Sequence, residues 1–264
     1  MRPPDPAPAL RARTLEATGL ARAVFTTRQG GVSAGPRGSL NLSYAVGDRA
    51  AAVAENRRRA AAAVGAGPAR LVEAQQVHGA EVAVVGPGHA GRIVPGVDAL
   101  VTRSSEVWLA VHTADCVPVL ILDPARPAAA AVHAGWRGVA AGVVPAALAA
   151  LRRAFGTAPA QCVAALGPAI GGCCYEVDAP VARAMEGAPW WPDAAGAAGP
   201  GKWYLDLRRA VRAQLRAAGL PRDQIEVVPG CTRCQPDVFF SYRRERATGR
   251  MAACIRLCER GQRE

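Results

Sequence analysis

Three histidines and one cysteine are the side chains most able to do chemistry in this sequence. His78, His112 and His133 occur in the segments QVHG, AVHTADC and AVHAGWRG, each beside small or polar residues. Cys116 stands at the start of a very apolar run. All four residues lie where predicted strands begin or end, and loops at strand ends commonly carry functional sites.

Two imidazoles and a thiolate are a donor set that suits Zn²⁺, and three protein ligands leave the fourth tetrahedral position free, as in catalytic zinc sites. The spacing alone supports this hypothesis only weakly, because 38 residues separate His78 from Cys116 and no short ligand motif is present. Two alternatives stay open on the residues alone. Cys116 could be a buried structural thiol, or the nucleophile of a hydrolase that uses a histidine as its base.

Two further segments contain candidate substrate contacts. Arg137 lies at the start of a predicted helix, where free N–H groups and an arginine fork favour phosphate or carboxylate; the alternative is a surface ion pair. The glycine-rich segment RQGGVSAGPRGSLNLS contains Arg28 and Asn41 and could approach a ligand closely. It lacks the GK[ST] ending of a phosphate-binding loop.

Four cysteines form two pairs whose role the sequence leaves undetermined. Cys231 and Cys234 in CTRC have the spacing of a metal or redox dithiol pair, but no second pair lies near them in the sequence. Cys173 and Cys174 are adjacent, and a disulfide between neighbours would be strained. We therefore expect all four to be structural thiols.

Short runs rich in Val, Ile, Leu and Ala predict strands. They are 22–27, 71–75, 82–85, 99–102, 107–111, 117–122, 128–133, a run ending at Leu166, 238–242 and 252–256. Helices are predicted from Asp48 to Gly65 or Gly67, from just after Gly138 to about Phe155, and over 177–185 and 205–218. Because several strands follow one another directly, this order indicates a layered, mixed α/β fold. We expect one domain over 21–257, with loosely ordered tails at 1–20 and 258–264.

Composition and charge exclude several classes of protein. The 264 residues carry a formal net charge of +11, but the basic residues are almost all arginine and are spread along the chain, so a solvated basic surface is favoured over nucleic-acid binding. No segment has the apolar core of a signal peptide or about 20 clean apolar residues for a membrane span. We expect a cytoplasmic protein without a membrane partner, either a monomer or a homodimer.

Eight motifs in order resemble one family over about residues 20–256. They are FTTRQGGVS (25–33), LNLSY (40–44), QVHG (76–79), DALVT (98–102), TADCVPVLILD (113–123), AVHAGWRGV (131–139), LGPAIGGCCYEV (166–177) and FFSYRRERATGRMAACI (239–255). The sequence resembles the YfiH family, long labelled multicopper polyphenol oxidase or laccase and also called peptidoglycan editing factor. It departs from the family pattern at Gly172, where proline is frequent, and at Cys234.

The resemblance implies a single-domain α/β/β/α layered fold with mixed sheets, and Zn²⁺ ligands at His78, Cys116 and His133. His112 would not be a ligand, since the family's motif begins at the following threonine. The implied activity is that of a purine nucleoside phosphorylase acting on adenosine, inosine, guanosine or methylthioadenosine with phosphate, together with adenosine deaminase activity.

Further roles follow from combining the residues with the resemblance. Arg28 and Arg137 are candidates for anion contacts and Asn41 for a substrate hydrogen bond. Asp115 is a candidate for orienting a metal ligand or relaying a proton, so that the expected catalytic set is His78, Cys116, His133 and Asp115.

The older family labels supply two alternative functions. A copper-dependent polyphenol oxidase with several copper centres needs many more histidines than the four present, one of which, His89, lies in an exposed glycine turn. Cu²⁺ outcompetes Zn²⁺ for most nitrogen and sulfur sites, so we expect any copper to be adventitious. The other alternative is a peptidoglycan-editing hydrolase with Cys116 as nucleophile and His133 as base.

Overall fold

The computed structural model describes residues 7–63, 65 and 70–258, and its strands form two six-stranded sheets and one three-stranded sheet. In spatial order the first sheet contains β1 (Ala9–Arg11), β2 (Ala21–Thr26), β15 (Met251–Leu257), β7 (Trp108–Thr113), β3 (Leu71–Gln75) and β5 (Ile93–Pro95). The second contains β14 (Ile225–Val227), β10 (Val163–Leu166), β8 (Val117–Asp123), β9 (Ala128–Ala134), β6 (Ala99–Thr102) and β4 (Val82–Val84). The small sheet contains β11 (Glu176–Asp178), β13 (Lys202–Leu205) and β12 (Ala195–Gly199).

Eight α-helices lie in the described part of the chain. They are α1 (Arg13–Glu16), α2 (Ala50–Ala63), α3 (Trp136–Ala140), α4 (Val143–Phe155), α5 (Ala179–Arg183), α6 (Trp191–Ala194), α7 (Leu207–Ala217) and α8 (Tyr242–Glu245). The longest of them are α2, α4 and α7. None of the helices in the described residues has both the length and the apolarity that a bilayer crossing demands.

The alternation of side chains along each central strand produces the layers. On β7, Leu109 and Val111 pack between the two large sheets, while Trp108 and Ala110 pack on the opposite face with residues near α2. On β8, Leu120 packs between the sheets, and its neighbours on the strand face α4 and α7. Successive side chains of a strand point to opposite faces, so strands that are apolar throughout must be covered on both sides. The result is the expected α/β/β/α fold.

Four expectations from the sequence are wrong in detail. Residues 7–20 are not a loose tail, because β1 pairs antiparallel with β2 and Leu15 of α1 is fully buried; residues 1–6 and 259–264 lie outside the described residues. The helix expected after Gly138 is divided into α3 and α4, because Gly142 has φ +80°, which no α-helix contains.

The other two corrections concern segments near the small sheet and the last strand. Residues 177–185 begin as β11 and become helical only at α5, which has Pro180 in its first turn. Residues 238–242 form no strand. Phe239 and Phe240 are instead buried in a small apolar cluster, and the chain enters α8 at Tyr242.

Candidate active site

Strand pairing brings His78, Cys116 and His133 together from distant parts of the chain. β3 and β7 run parallel, so the segments that follow them, which contain His78 and Cys116, leave the sheet at the same edge. β8 and β9 are antiparallel, with Pro118 opposite His133, so that Cys116 lies at the end of the strand beside His133.

The ligand atoms of these three side chains all lie within 4.8 Å of one another, which is close enough for one metal ion. The rings of His78 and His133 meet edge to face at a centroid distance of 4.8 Å. Gly135 borders the group, and a Cβ atom there would lie 3.0 Å from both the Cys116 Sγ and the His78 Cδ2. A side chain at position 135 would therefore force the donor atoms apart.

Asp98, directly before β6, holds two of the three residues in place. Its Oδ1 lies 2.7 Å from the Nδ1 of His133 and accepts a hydrogen bond of 3.0 Å from the backbone N–H of His78. Its Oδ2 accepts from the backbone N–H groups of Val77 (3.1 Å) and Gly79 (2.7 Å). A carboxylate on one ring nitrogen of a histidine fixes the tautomer and leaves the other nitrogen, Nε2, free as a ligand.

Asp98 also stabilises an uncommon backbone conformation. His78 has φ +63°, in the left-handed region that is costly for a residue with a side chain. The carboxylate bonds to three consecutive N–H groups, at 77, 78 and 79, and these bonds offset that cost. Burial opposes ionisation of Asp98, but His133 and the backbone donors outweigh it and hold the pKa of the carboxyl below its usual value.

Cys116 and His133 stabilise each other as a charged pair. Burial opposes ionisation of the thiol, but the charges and hydrogen bonds of His133 and His78 lower the pKa of Cys116 to about 6. Burial likewise opposes protonation of His133, but Cys116 and Asp98 raise its pKa to about 9. Such a thiolate is both a good metal ligand and a good nucleophile.

Asp115 contacts the loop that contains Thr232 and the first turn of α8, and within the described residues its side-chain hydrogen bonds run to these segments and not to the histidines. Its Oδ1 accepts a 2.6 Å hydrogen bond from the hydroxyl of Thr232, and its Oδ2 accepts one of 2.6 Å from the backbone N–H of Arg243. Its backbone has φ +99°. In this arrangement Asp115 shapes the segment that presents Cys116.

A cleft of about 750 Å³ contains all three candidate ligands. Five arginines and two carboxylates line it, which are Arg57, Arg137, Arg243, Arg246, Arg250, Glu73 and Asp115. Four larger aromatic side chains also line it, which are Tyr44, Trp136, Tyr175 and Tyr242. The excess of positive charge favours an anionic ligand, and the aromatic faces suit a flat ring system.

Of the three expected substrate contacts, Arg137 lines the cleft, whereas Arg28 and Asn41 do not. Arg137 lines the cleft, is exposed and lies over the Trp136 ring at 4.3 Å. Arg28 is not among the lining residues; its guanidinium donates to the carbonyls of Gly38 and Pro236 and pairs with Glu245 at 3.0 Å. These bonds give Arg28 a role in holding loops together.

Asn41 is fully buried and also lies outside the lining of the cleft. Its Oδ1 accepts hydrogen bonds from the backbone N–H groups of Ser43 and Arg250, and its Nδ2 donates to Asp48 at 2.9 Å. Because Ser43 and Arg250 both line the cleft, Asn41 positions part of the cleft wall.

The two remaining histidines stand apart from the group. His112 Nε2 lies 2.6 Å from Glu73, which also forms a two-pronged ion pair with Arg57. His89 is exposed in its turn.

Cys231 and Cys234 have no second pair near them in the sequence, but the fold supplies one. Cys173 and Cys174 join them in a second group whose four sulfurs lie within 4.8 Å of one another. Sequence reasoning also missed Asp98 and the arginines of the last third of the chain. The only signal for Asp98 was its position at the start of a buried strand within the segment DALVT.

The chain is similar to known proteins along most of its length. Residues 22–258 match the family described as multi-copper polyphenol oxidoreductase laccase. A Streptomyces coelicolor protein named purine nucleoside phosphorylase is 50% identical over 233 residues, which are 88% of this chain and 94% of that protein.

Solved structures agree with the sequence relatives. YlmD from Geobacillus stearothermophilus has a TM-score of 0.87 and 40% identity, covering 90% of this chain and 92% of its own. The Bacillus licheniformis hypothetical protein YfiH has the same TM-score and 36% identity, covering 90% and 93% of the two chains.

Proposed function

The chain belongs to the YfiH family, and from that premise we propose that it is a zinc-dependent purine nucleoside phosphorylase that also deaminates adenosine. The proposed substrates are adenosine, inosine, guanosine or methylthioadenosine together with phosphate. The phosphorylase activity is supported by two relatives, from Streptomyces coelicolor and Geobacillus stearothermophilus, which are both named purine nucleoside phosphorylase. Deaminase activity, zinc and the individual substrates are our proposal.

The observation that carries this proposal is that one cleft combines the His78–Cys116–His133 group with excess arginine and with aromatic side chains. Its volume of about 750 Å³ is that of a site for a small organic ligand. A nucleoside needs a flat apolar surface for its base, and phosphate needs positive charge next to the sugar. The cleft offers both within reach of the same three donor atoms.

The residues present fit a zinc ion. Two imidazoles and a thiolate match the ligands of catalytic zinc, and Asp98 supplies the carboxylate partner that histidine ligands usually have. A zinc ion bound there would act as a Lewis acid and lower the pKa of a coordinated water. The three donors do not match a multicopper oxidase, since the whole chain has only four histidines and His112 is engaged by Glu73.

In phosphorolysis an oxygen of phosphate forms a bond to C1′ of the ribose while the bond from C1′ to the purine nitrogen breaks and its electron pair goes to the base. Arg137 is our candidate for holding phosphate, because it lines the cleft and the described residues give it no carboxylate partner. Holding the anion against the sugar removes much of the entropic barrier. Arg243, Arg246 and Arg250 add positive charge where negative charge develops.

The base would lie against aromatic rings of the cleft. Tyr44 and Tyr242 are about half exposed, at 47% and 48%, so largely apolar ring surface faces the solvent in the cleft. Arg57 lies over the Tyr44 ring at 4.5 Å and so holds it in place. A purine that stacks on such rings buries surface that is otherwise wet, which favours binding.

The ionised pair of Cys116 and His133 supports one alternative, a cysteine hydrolase. A thiolate beside an imidazolium is the resting state of many cysteine nucleophiles. The two functions differ in what Cys116 does, because a metal-bound thiolate is a poor nucleophile. Zinc that survives dialysis and is lost in Cys116→Ala or His133→Ala protein supports the phosphorylase; a metal-free protein that reacts rapidly with thiol reagents at Cys116 supports the hydrolase.

Turnover of a nucleoside panel with and without phosphate tests the proposal directly. We expect free base and ribose 1-phosphate only when phosphate is present, and inosine from adenosine in either case. Arg137→Ala should raise the KM for phosphate about 10-fold or more, the effect of losing one charged hydrogen bond, and should change deamination little, since that reaction uses water.

Arg153→Ala is the matched control, because it removes the same charge from an exposed position on α4 that does not line the cleft. Equal losses of both activities in Arg137→Ala protein would show that this residue does not hold phosphate. Absence of base release from every purine nucleoside would overturn the proposed function.

A further inference from the structure

Two loops that are distant in sequence meet at a group of four cysteines, none of which belongs to the His78–Cys116–His133 group. β10 and β14 pair in parallel, so the segments that follow them leave the second sheet at the same edge. Cys173 and Cys174 follow β10, and Cys231 and Cys234 follow β14. A bridge between Ala169 and Cys231 extends this parallel pairing into the loops.

The distances between the sulfurs are those of a single tetrahedral metal site. Cys173 Sγ lies 3.7 Å from that of Cys174, and 3.8 Å from those of Cys231 and Cys234. Cys174 Sγ lies 3.2 Å from that of Cys234. Four sulfurs bound to one metal at about 2.3 Å are about 3.8 Å apart. A disulfide needs about 2.05 Å, and an iron–sulfur cluster needs more room between its ligands.

The surroundings of the group favour thiolates. The backbone N–H of Gly171 donates to the Cys231 sulfur at 3.3 Å, and the backbone N–H groups of Arg233 and Cys234 donate to the same atom. Three N–H groups around one sulfur stabilise negative charge there.

Two arginines lie beside the group and are held by backbone carbonyls. Arg208 donates to the carbonyl of Gly230 at 3.0 Å, and Arg233 to that of Cys174 at 3.4 Å. Four thiolates around one divalent ion carry a net negative charge, which nearby guanidinium groups offset. Gly171 leaves the space that the sulfurs occupy, since a Cβ there would lie 3.1 Å from the Cys173 Sγ.

We infer that Cys173, Cys174, Cys231 and Cys234 bind one Zn²⁺ ion, a second metal site with a structural role. Soft thiolate ligands select zinc among the common divalent ions, and four protein ligands leave no open position for substrate.

The second site would position residues of the candidate active site. Thr232 lies between Cys231 and Cys234 and donates to Asp115, the neighbour of Cys116. Tyr175 directly follows Cys174 and lines the cleft. A metal ion bound to the four cysteines would hold the two loops together without a disulfide between them. This inference does not depend on the proposed nucleoside chemistry.

Counting metal ions in purified variants tests the inference. With zinc supplied during expression, the wild-type chain should contain about two zinc ions. Cys231→Ser/Cys234→Ser protein and His78→Ala protein should each contain about one, and the variant that combines all three changes should contain none. Cys258→Ser is the matched control, because this thiol belongs to neither group and its loss should leave both ions bound.

The outcomes separate the two sites. Zinc that is lost in His78→Ala protein but unchanged in the double serine variant overturns the four-cysteine site and leaves the candidate active site intact. Zinc that is lost only in the double serine variant supports the four-cysteine site and overturns metal binding at His78.

Two measurements on protein with all four cysteines apply even if the serine variant does not fold. X-ray absorption of zinc-loaded His78→Ala protein should show four sulfur ligands at about 2.3 Å. In the native wild type these cysteines should resist alkylation until a chelator is added. A zinc shell containing nitrogen or oxygen, a disulfide among the four, or their full alkylation before chelation overturns the inference.

Discussion

Replacing Asp98 by asparagine removes one of the two acceptor oxygens that organise the His78–Cys116–His133 group. The carboxylate accepts four hydrogen bonds, two on each oxygen, from His133 Nδ1 and from the N–H groups of Val77, His78 and Gly79. An amide keeps one oxygen and replaces the other by NH₂, which is itself a donor. Whichever way the amide is oriented, two of the four donors then face an NH₂ group.

The expected loss of stability follows from those two orphaned donors. Asp98 is fully buried, and its bonds from residues 77–79 are partly buried, so water replaces the lost acceptor only incompletely. A buried donor left unsatisfied costs about 1–3 kcal/mol, so the free energy of unfolding should fall by about 2–6 kcal/mol at pH 7. Zinc affinity should fall about 10- to 100-fold, because the carboxylate orients a histidine ligand.

The pH dependence has a definite sign. Because the folded protein holds the pKa of Asp98 below its usual value, the carboxylate stabilises the fold at pH values above the unfolded-state pKa, about 4. That contribution is lost as the pH falls through the lower folded-state pKa. The difference in stability between the wild type and Asp98→Asn protein should therefore narrow below about pH 4.

Urea unfolding of the apoprotein measures the free energy of unfolding, and competition with a chelator measures the zinc affinity. Asp123→Asn is the matched control, because this aspartate is also fully buried. Its Oδ1 accepts from Ala125 and Arg126, while its Oδ2 has no partner in the described structure. An amide can keep the first oxygen, and its NH₂ takes the place of an oxygen that already has no partner. No existing hydrogen bond is lost and one unsatisfied group replaces another, so stability should stay within about 1 kcal/mol. Equal stability and zinc affinity in Asp98→Asn and wild-type protein would refute the reasoning.

Three other outcomes follow from the same region. Gly135→Ala should lose zinc from the three-residue group while staying folded, because the new Cβ would meet Cys116 and His78 at 3.0 Å; Gly79→Ala, whose Cβ has only ordinary contacts, should keep it. Elemental analysis decides, and full zinc in Gly135→Ala contradicts the geometry. Burial opposes ionisation of Glu73, but His112 and Arg57 lower its pKa to about 2. The free energy of unfolding of Glu73→Gln protein should therefore be about 3 kcal/mol below that of the wild type at pH 7. This difference should persist above about pH 4.5 and vanish as the pH falls towards 2. Urea titrations at several pH values measure this, and a pH-independent difference would contradict it. Zinc binding by the three-residue group should weaken as the pH falls below about 9, where His133 takes up a proton, and more steeply below about 6, where Cys116 does so too. A zinc affinity that stays unchanged from pH 9 to pH 5 would argue against histidine and thiolate ligands.

Local sequence determined the parts of the fold that depend on neighbouring residues. The run at 99–102 coincides with β6 because a short apolar run that contains β-branched residues marks a buried strand. The run at 71–75 coincides with β3, although that strand also carries Glu73 and Gln75. The donor chemistry of His78, Cys116 and His133 was also visible, because it depends only on residue type. The order of eight motifs indicated the family and hence the layered fold.

Tertiary structure decided which side chains meet. The four cysteines form one group only because β10 and β14 are parallel neighbours in the second sheet, although Cys174 and Cys234 are 60 residues apart. Asp98 organises the His78–Cys116–His133 group because β6, which it directly precedes, pairs with β9, which carries His133. Strand pairing is a long-range choice that periodicity does not encode, since the same apolar alternation is compatible with many neighbours and registers.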